Sequence, residues 1–169
     1  MKLILLLLTC AFSLNAILVS AQENKFPTES WCIQKVVDQD NNDVFITANL
    51  GYKNYAYKTD FSWCLEINIT AIHQLSNGHP TNEEALILNE TEDIITTALQ
   101  KAGVTHFVGR TTVKGYRELY FFVNDPEKAN AALMRLTKKR QPREWEYKMS
   151  KDENWQRVEP FFAGNPKCL

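Results

Sequence analysis

The chain has little of what most enzyme readings need. Only three histidines occur, His73, His79 and His106. None has a cysteine or acid at a metal-ligand spacing, so no metal site is expected. Gly-x-Ser-x-Gly, His-Glu-x-x-His, Cys-x-x-Cys and the phosphate-binding glycine loop are all missing, and no cofactor is implied. A basic excess is missing too. Nineteen Lys and Arg face twenty Asp and Glu, a formal net charge of −1, which argues against nucleic acid as a main partner. No internal repeat or low-complexity tract is visible. After the first twenty or so residues, no apolar run is long enough to span a bilayer.

What is present begins with an export signal. Lys2 gives a minimal positive start, residues 3–8 and 11–19 are mostly apolar, and Ser20 and Ala21 are small. Cleavage is expected after Ala21. A membrane anchor would need a longer uninterrupted run, and Cys10 sits in a poor context for lipidation. The mature chain is then a slightly acidic single domain over residues 31–169, preceded by a flexible leader over 22–30. It is expected in an extracytoplasmic (periplasmic or secreted) location, with no membrane span.

Removing the signal leaves Cys32, Cys64 and Cys168. An exported chain keeps disulfides, and three cysteines allow one bridge in three ways. Cys32 with Cys168 is the favoured pair, because it closes the longest loop. Cys64 is then a small, half-buried strand residue.

Residues 31–37 and 44–50 flank a polar turn and predict a β-hairpin. Residues 63–70 alternate with period two, which predicts a strand. Thr81 and Glu84 form a capping box, so a helix starts there and stops at Gly103. Its expected buried stripe is Ala85, Leu88, Ile95, Leu99 and Ala102. Residues 104–113 and 116–123 predict a hairpin turning at Lys114-Gly115. Asp125 and Pro126 open a second helix, and residues 143–149 alternate again. The order β-α-β-β-α-β predicts an α+β, ferredoxin-like antiparallel sheet with two helices on one face, extended by the N-terminal hairpin.

Gly78-His79-Pro80 with Glu83-Glu84, Val108-Gly109-Arg110-Thr111-Thr112, Gly115-Tyr116-Arg117-Glu118, Tyr120-Phe121-Phe122, and Asp152 with Trp155 form a set of motifs that resembles the bacterial domain-of-unknown-function family 695. The resemblance spans roughly residues 44–162. It implies no catalytic residues. Some relatives couple this domain to one resembling the regulator of ribonuclease E activity B. The export signal makes an intracellular ribonuclease an unsuitable partner here.

A turn at Lys114-Gly115 pairs Val113 with Tyr116, Thr112 with Arg117 and Arg110 with Leu119. Arg110, Thr112 and Arg117 then share the helix-facing side of the sheet. Their guanidinium groups either bind an anion or pair with local acids. The opposite face carries Phe107, Thr111, Tyr116, Glu118, Tyr120 and Phe122, with Cys64, Glu66 and Asn68 beside them. This face is either covered by the tail residues Trp155, Phe161 and Phe162, or open as a ligand groove, or a stacking platform for bases. Candidate binding residues are therefore Arg110, Thr112, Arg117, Glu118, Tyr116 and Tyr120. His106 is expected on the helix side and Cys64 on the other, so the two should diverge. The leading reading is a non-catalytic binding domain for an envelope protein or small anionic ligand. The alternative is a hydrolase of unrecognised type using Glu66 and Glu118.

Overall fold

The computed structural model describes residues 26–163 and 167–169; the expected signal segment and its cleavage site lie outside them. The described residues form an α+β fold with one six-stranded antiparallel sheet. The strands are β1 (Trp31–Val37), β2 (Asp43–Asn49), β3 (Trp63–Thr70), β4 (Thr105–Val113), β5 (Tyr116–Val123) and β6 (Trp145–Lys151). Helix α1 (Asn82–Ala102) joins β3 to β4, and helix α2 (Pro126–Leu136) joins β5 to β6. The spatial order is β1-β2-β4-β5-β3-β6, so the N-terminal hairpin extends the sheet beyond β4.

Both helices pack on one face. Leu88, Ile95 and Leu99 of α1 and Ala129, Leu133 and Leu136 of α2 bury against Leu65, Ile67, Ile69, Leu119, Phe121 and Val123. The other face holds a second core of Ile46, Ala48, Cys64, Val108, Tyr120 and Phe122. Its cover comes from irregular chain: 3-10 turns at Leu50–Tyr52, Lys58–Phe61 and Gln156–Phe162. Trp155 stacks on Phe122 with ring centroids 4.0 Å apart, and Phe161 meets Tyr120 edge-on at 5.0 Å. The aromatic face is thus largely a covered core layer.

The hairpin register is the one the turn dictates: Val113 opposite Tyr116, Thr112 opposite Arg117, Arg110 opposite Leu119. Only Gly115 of the turn pair has positive φ, at 87°. Upstream the register shifts between Phe107 and Gly109. Val108 is an extra residue, a β-bulge, and it reverses the facing of everything before it. Phe107, expected on the covered face, instead pairs with Phe121 on the helix side. His106 pairs with Phe122 and points into the aromatic core. Gly109 is needed for a different reason: a Cβ there would stand 2.5 Å from the Thr47 carbonyl oxygen and 3.3 Å from the Phe161 ring.

Residues 26–30 touch the domain at two points. Ser30 N–H donates to Asn49 Oδ1 at 2.9 Å, and Phe26 lies 4.7 Å from the His106 ring. The capping box forms only half-way. The Glu84 N–H donates to Thr81 Oγ1 at 3.2 Å. The Glu84 carboxylate turns away to accept from the Ile72 N–H at 3.0 Å and from Arg143 at 2.7 and 2.6 Å. The bidentate arginine outcompetes the helix amide because its bonds are charge-assisted.

That pair, a fully buried Glu84 with a half-buried Arg143, predicts a pH dependence. The Arg143 bonds, foremost, with the Ile72 and His73 amides, outweigh burial and hold the Glu84 carboxyl down to about 2. A depressed carboxyl adds stability above its unfolded pKa and loses it as pH falls through the folded value. We expect wild type to exceed Glu84→Gln by on the order of 3 kcal/mol near neutrality. The gap should shrink as pH drops from about 5 to 2, measured by urea unfolding at each pH. A gap constant over that range would refute the assignment.

Candidate functional site

Two charged clusters lie on opposite faces of the sheet. Arg110 and Arg117 occupy the helix side, as the hairpin register requires. Both reach α1. Arg110 Nη1 donates to both Glu92 oxygens at 2.8 and 2.7 Å. Arg117 Nη1 donates to Asn89 Oδ1 at 2.7 Å and to Glu92 Oε2 at 3.2 Å. Two guanidinium groups therefore share one carboxylate. Burial first, and Arg110 second, lower the Arg117 pKa to about 10, with Glu92 opposing. The buried Arg117 Nε has no hydrogen-bond acceptor among the described residues. Arg110 commits only Nη1 to α1, and its side chain is 25% exposed. Thr112 lies half-buried in the row Phe45, Thr112, Arg117.

Glu92 was not singled out from the sequence, yet a signal existed. Positions 88, 92, 95 and 99 continue one helical stripe, and an acid inside such a stripe needs a buried cation. Glu84 lies on the same stripe and has Arg143 for the same reason. Beyond Arg110 the helices stop covering the sheet. Ile33, Thr47 and Arg110 form one row, and Ile33 and Trp31 at its far end are exposed.

Glu118, Tyr120 and Tyr116 take the opposite side. Tyr116 stands exposed beside the turn. Tyr120 is buried, and its hydroxyl donates to Glu118 Oε2 at 2.5 Å. Burial first, then that bond, raise its pKa. Across the strands, Tyr120, Glu66 and Lys148 form one row, and Glu118, Asn68 and Glu146 the next. These rows line a cleft of about 260 Å³ bounded by Glu66, Asn68, Glu118, Glu146, Tyr147 and Lys148. The two carboxylates considered for hydrolysis, Glu66 and Glu118, thus meet at one cleft.

Cys64 and His106 do share a face, contrary to the simple alternation, because the bulge turns His106 over. They are still not neighbours: each is registered with Phe122, one on either side of it. His106 instead engages the Tyr52 hydroxyl at 3.1 Å and the Tyr55 hydroxyl at 3.3 Å. Burial pushes the Cys64 thiol well above its usual range, which disfavours the thiolate form. Cys32 and Cys168 are joined in a disulfide. Among the described residues, no group of three His, Cys, Asp or Glu side chains is placed to hold a metal ion. No helix among them is long and apolar enough to cross a membrane.

The fold and clusters define a small α+β domain with one mixed ion network under its helix and one carboxylate cleft behind its sheet. Residues 30–161 match the model of a family of unknown function, DUF695, and the chain belongs to that family. No curated protein and no solved structure matches it.

Proposed function

We propose that this chain is a non-catalytic binding domain, built on a ferredoxin-like core and working outside the cytoplasm. It captures an anionic group on the helix side of β4, where Arg110 emerges beyond the cover of the helices. The connectivity β3-α1-β4-β5-α2-β6, with both helices on one face, supports the fold reading. The disulfide supports the location, because such bonds persist in oxidising compartments.

One observation carries the binding reading. Glu92 balances one of two guanidinium groups, and among the described residues Arg110 Nε and Nη2 make no hydrogen bond, at a partly open position. A carboxylate or phosphate presents two oxygens that match such a fork. Exposed Trp31 and Ile33 on the same face give an apolar margin for the rest of the ligand or for an envelope protein.

The test is titration calorimetry at low salt with citrate and with inorganic phosphate. Arg110→Gln should weaken binding about tenfold or more, the scale of a lost charge-assisted pair. Some loss of thermal stability is expected as well, since Arg110 gives the nearly buried Glu92 its two shortest bonds, so binding is compared at a temperature where both proteins are folded. Equal affinity in wild type and variant would sink the reading.

A further inference from the structure

We infer that the outer face of the two helices is a self-association surface, on which a second copy of this chain docks to form a two-fold dimer.

The helices lie antiparallel. Leu99 and Ala102 at the end of α1 line one crevice with Lys128 and Ala129 at the start of α2. Leu86 near the start of α1 shares a groove with Leu136 and Lys139 at the end of α2. That groove holds about 650 Å³, and Ile94, Ala98 and Leu136 make it apolar. Two large apolar side chains stand outward from the same layer, Leu86 at 69% and Met134 at 51% exposure.

Charge on this face is sorted by helix. Glu83, Leu86, Glu90, Asp93 and Thr97 follow at steps of three and four, so they form one outward stripe of α1, and all are exposed. No Lys or Arg occurs in α1 before Lys101. α2 and the turn that ends it carry Arg135, Lys138, Lys139 and Arg140, all exposed. The helix dipoles account for Glu83 in the first turn of α1 and Arg135 in the last turn of α2. They do not account for Glu90 and Asp93, which lie beyond the first turn and repel each other three residues apart. Among the described residues, Glu90, Asp93, Lys138 and Lys139 form no ion pair within the chain.

The antiparallel arrangement selects the occupant. It puts the acidic half of α1 and the basic end of α2 at the same end of the layer. A two-fold axis lying in the face, parallel to the helices, sets α1 of one copy over α2 of the other and keeps each residue at its own level. Glu90 and Asp93 then lie over Lys138 and Lys139 of the second copy, and the contact repeats across the axis, as an isologous interface requires. Leu86 comes to the apolar groove of the other copy. A uniformly acidic partner would be repelled by α1 and a uniformly basic one by α2, whereas a second copy complements both at once. The face is about 30 Å long and on the order of 500 Å² in projection, so the dimer belongs to the small, charge-steered kind, micromolar or weaker. This surface is separate from the Arg110 site, which lies beneath α1 and beyond its flank.

The experiment is sedimentation velocity of the disulfide-intact protein at low salt, from low micromolar to several hundred micromolar. A monomer–dimer equilibrium is expected, weakened about tenfold or more when salt rises from about 0.05 M to about 0.5 M, because the ion pairs are exposed. Glu90→Lys with Asp93→Lys should weaken it about tenfold or more, and so should Lys138→Glu with Lys139→Glu, since like charges then face each other. An equimolar mixture of the two variants should form a heterodimer at about the wild-type affinity, because every acidic stripe again meets a basic one. Arg110→Gln should leave the dimer unchanged. A monomer at every concentration overturns the proposal. So does a dimer that survives both charge reversals, a mixture that fails to restore association, or a dimer lost in Arg110→Gln, which would place the contact at the anion site. If either charge-reversed variant does not fold, Leu86→Ser decides: unchanged association rejects this face.

Discussion

Trp155→Ala should lower the unfolding free energy by about 3–5 kcal/mol, the range for removing a fully buried large aromatic side chain. Trp155 is completely buried and links three segments that are far apart in sequence. Its ring stacks on Phe122 of β5 with an interplanar angle of 14°. Its indole N–H donates to the Lys58 carbonyl at 3.1 Å and the Phe61 carbonyl at 2.9 Å. Alanine would leave a cavity against the sheet and two carbonyls without their donor. Both penalties fall on the same side of the molecule, where the cover is irregular chain and cannot slide inward as a helix can. Urea unfolding followed by far-ultraviolet circular dichroism measures the loss. Trp155→Phe separates the two parts. It keeps a ring on Phe122 and removes the N–H, so it should recover most of the packing and still cost about 1–2 kcal/mol. A loss below about 1 kcal/mol for alanine would mean that the ring does not seal this face.

The same residue shows what was legible in the sequence. The need of Trp155, Phe161 and Phe162 for an apolar surface could be read from composition, and the sheet's second face was the natural place. The left-handed backbone at Trp155, with φ 59° and ψ 38°, could not be read, since the bend that aims the ring is unusual for a bulky residue. The β4–β5 register was legible because a two-residue turn fixes it. The bulge at Val108 was not, because Val-Gly reads as ordinary alternation until the neighbouring strand is present. That single extra residue moved His106 and Phe107 to opposite faces from those expected.

The candidate sites divided in the same way. Arg110, Thr112 and Arg117 could be placed on one face from period-two alternation alone. Their partner Glu92 depends on where α1 crosses the sheet, and that is a tertiary fact. The cleft was half-visible. Glu66, Asn68 and Glu118 could be grouped from the strands, but Glu146 and Lys148 enter only because β6 pairs with β3 and not with an outer strand. Sequence order alone does not choose the strand beside which the last one lies.

Opening the Cys32–Cys168 bridge should cost about 2–5 kcal/mol, and the reason lies in chain topology. The two cysteines are 136 residues apart, so the bond closes a loop around nearly the whole domain. In the chain-entropy model a loop of this length is worth about 5 kcal/mol, through restriction of the unfolded state. What the bond holds together is otherwise lightly tied. β1 pairs only with β2, and most of its side chains are exposed. The chain end contributes one described backbone bond to it, from the Leu169 N–H to the Ile33 carbonyl at 2.8 Å. Losing the bridge therefore frees both ends of the domain at once. The double variant Cys32→Ser with Cys168→Ser, compared with wild type in urea, measures the effect. Wild type with a thiol reductant should match the variant. Cys64 should not react with a thiol reagent in the native oxidised protein, because it is buried and its thiol is held protonated. It should react once the chain is unfolded. A difference under about 1 kcal/mol between oxidised and reduced protein would show that the sheet edge holds without the bridge. A large difference would tie stability to compartment: a domain that needs this bond reaches full stability only where thiols are oxidised, which is where the proposed export signal would deliver it.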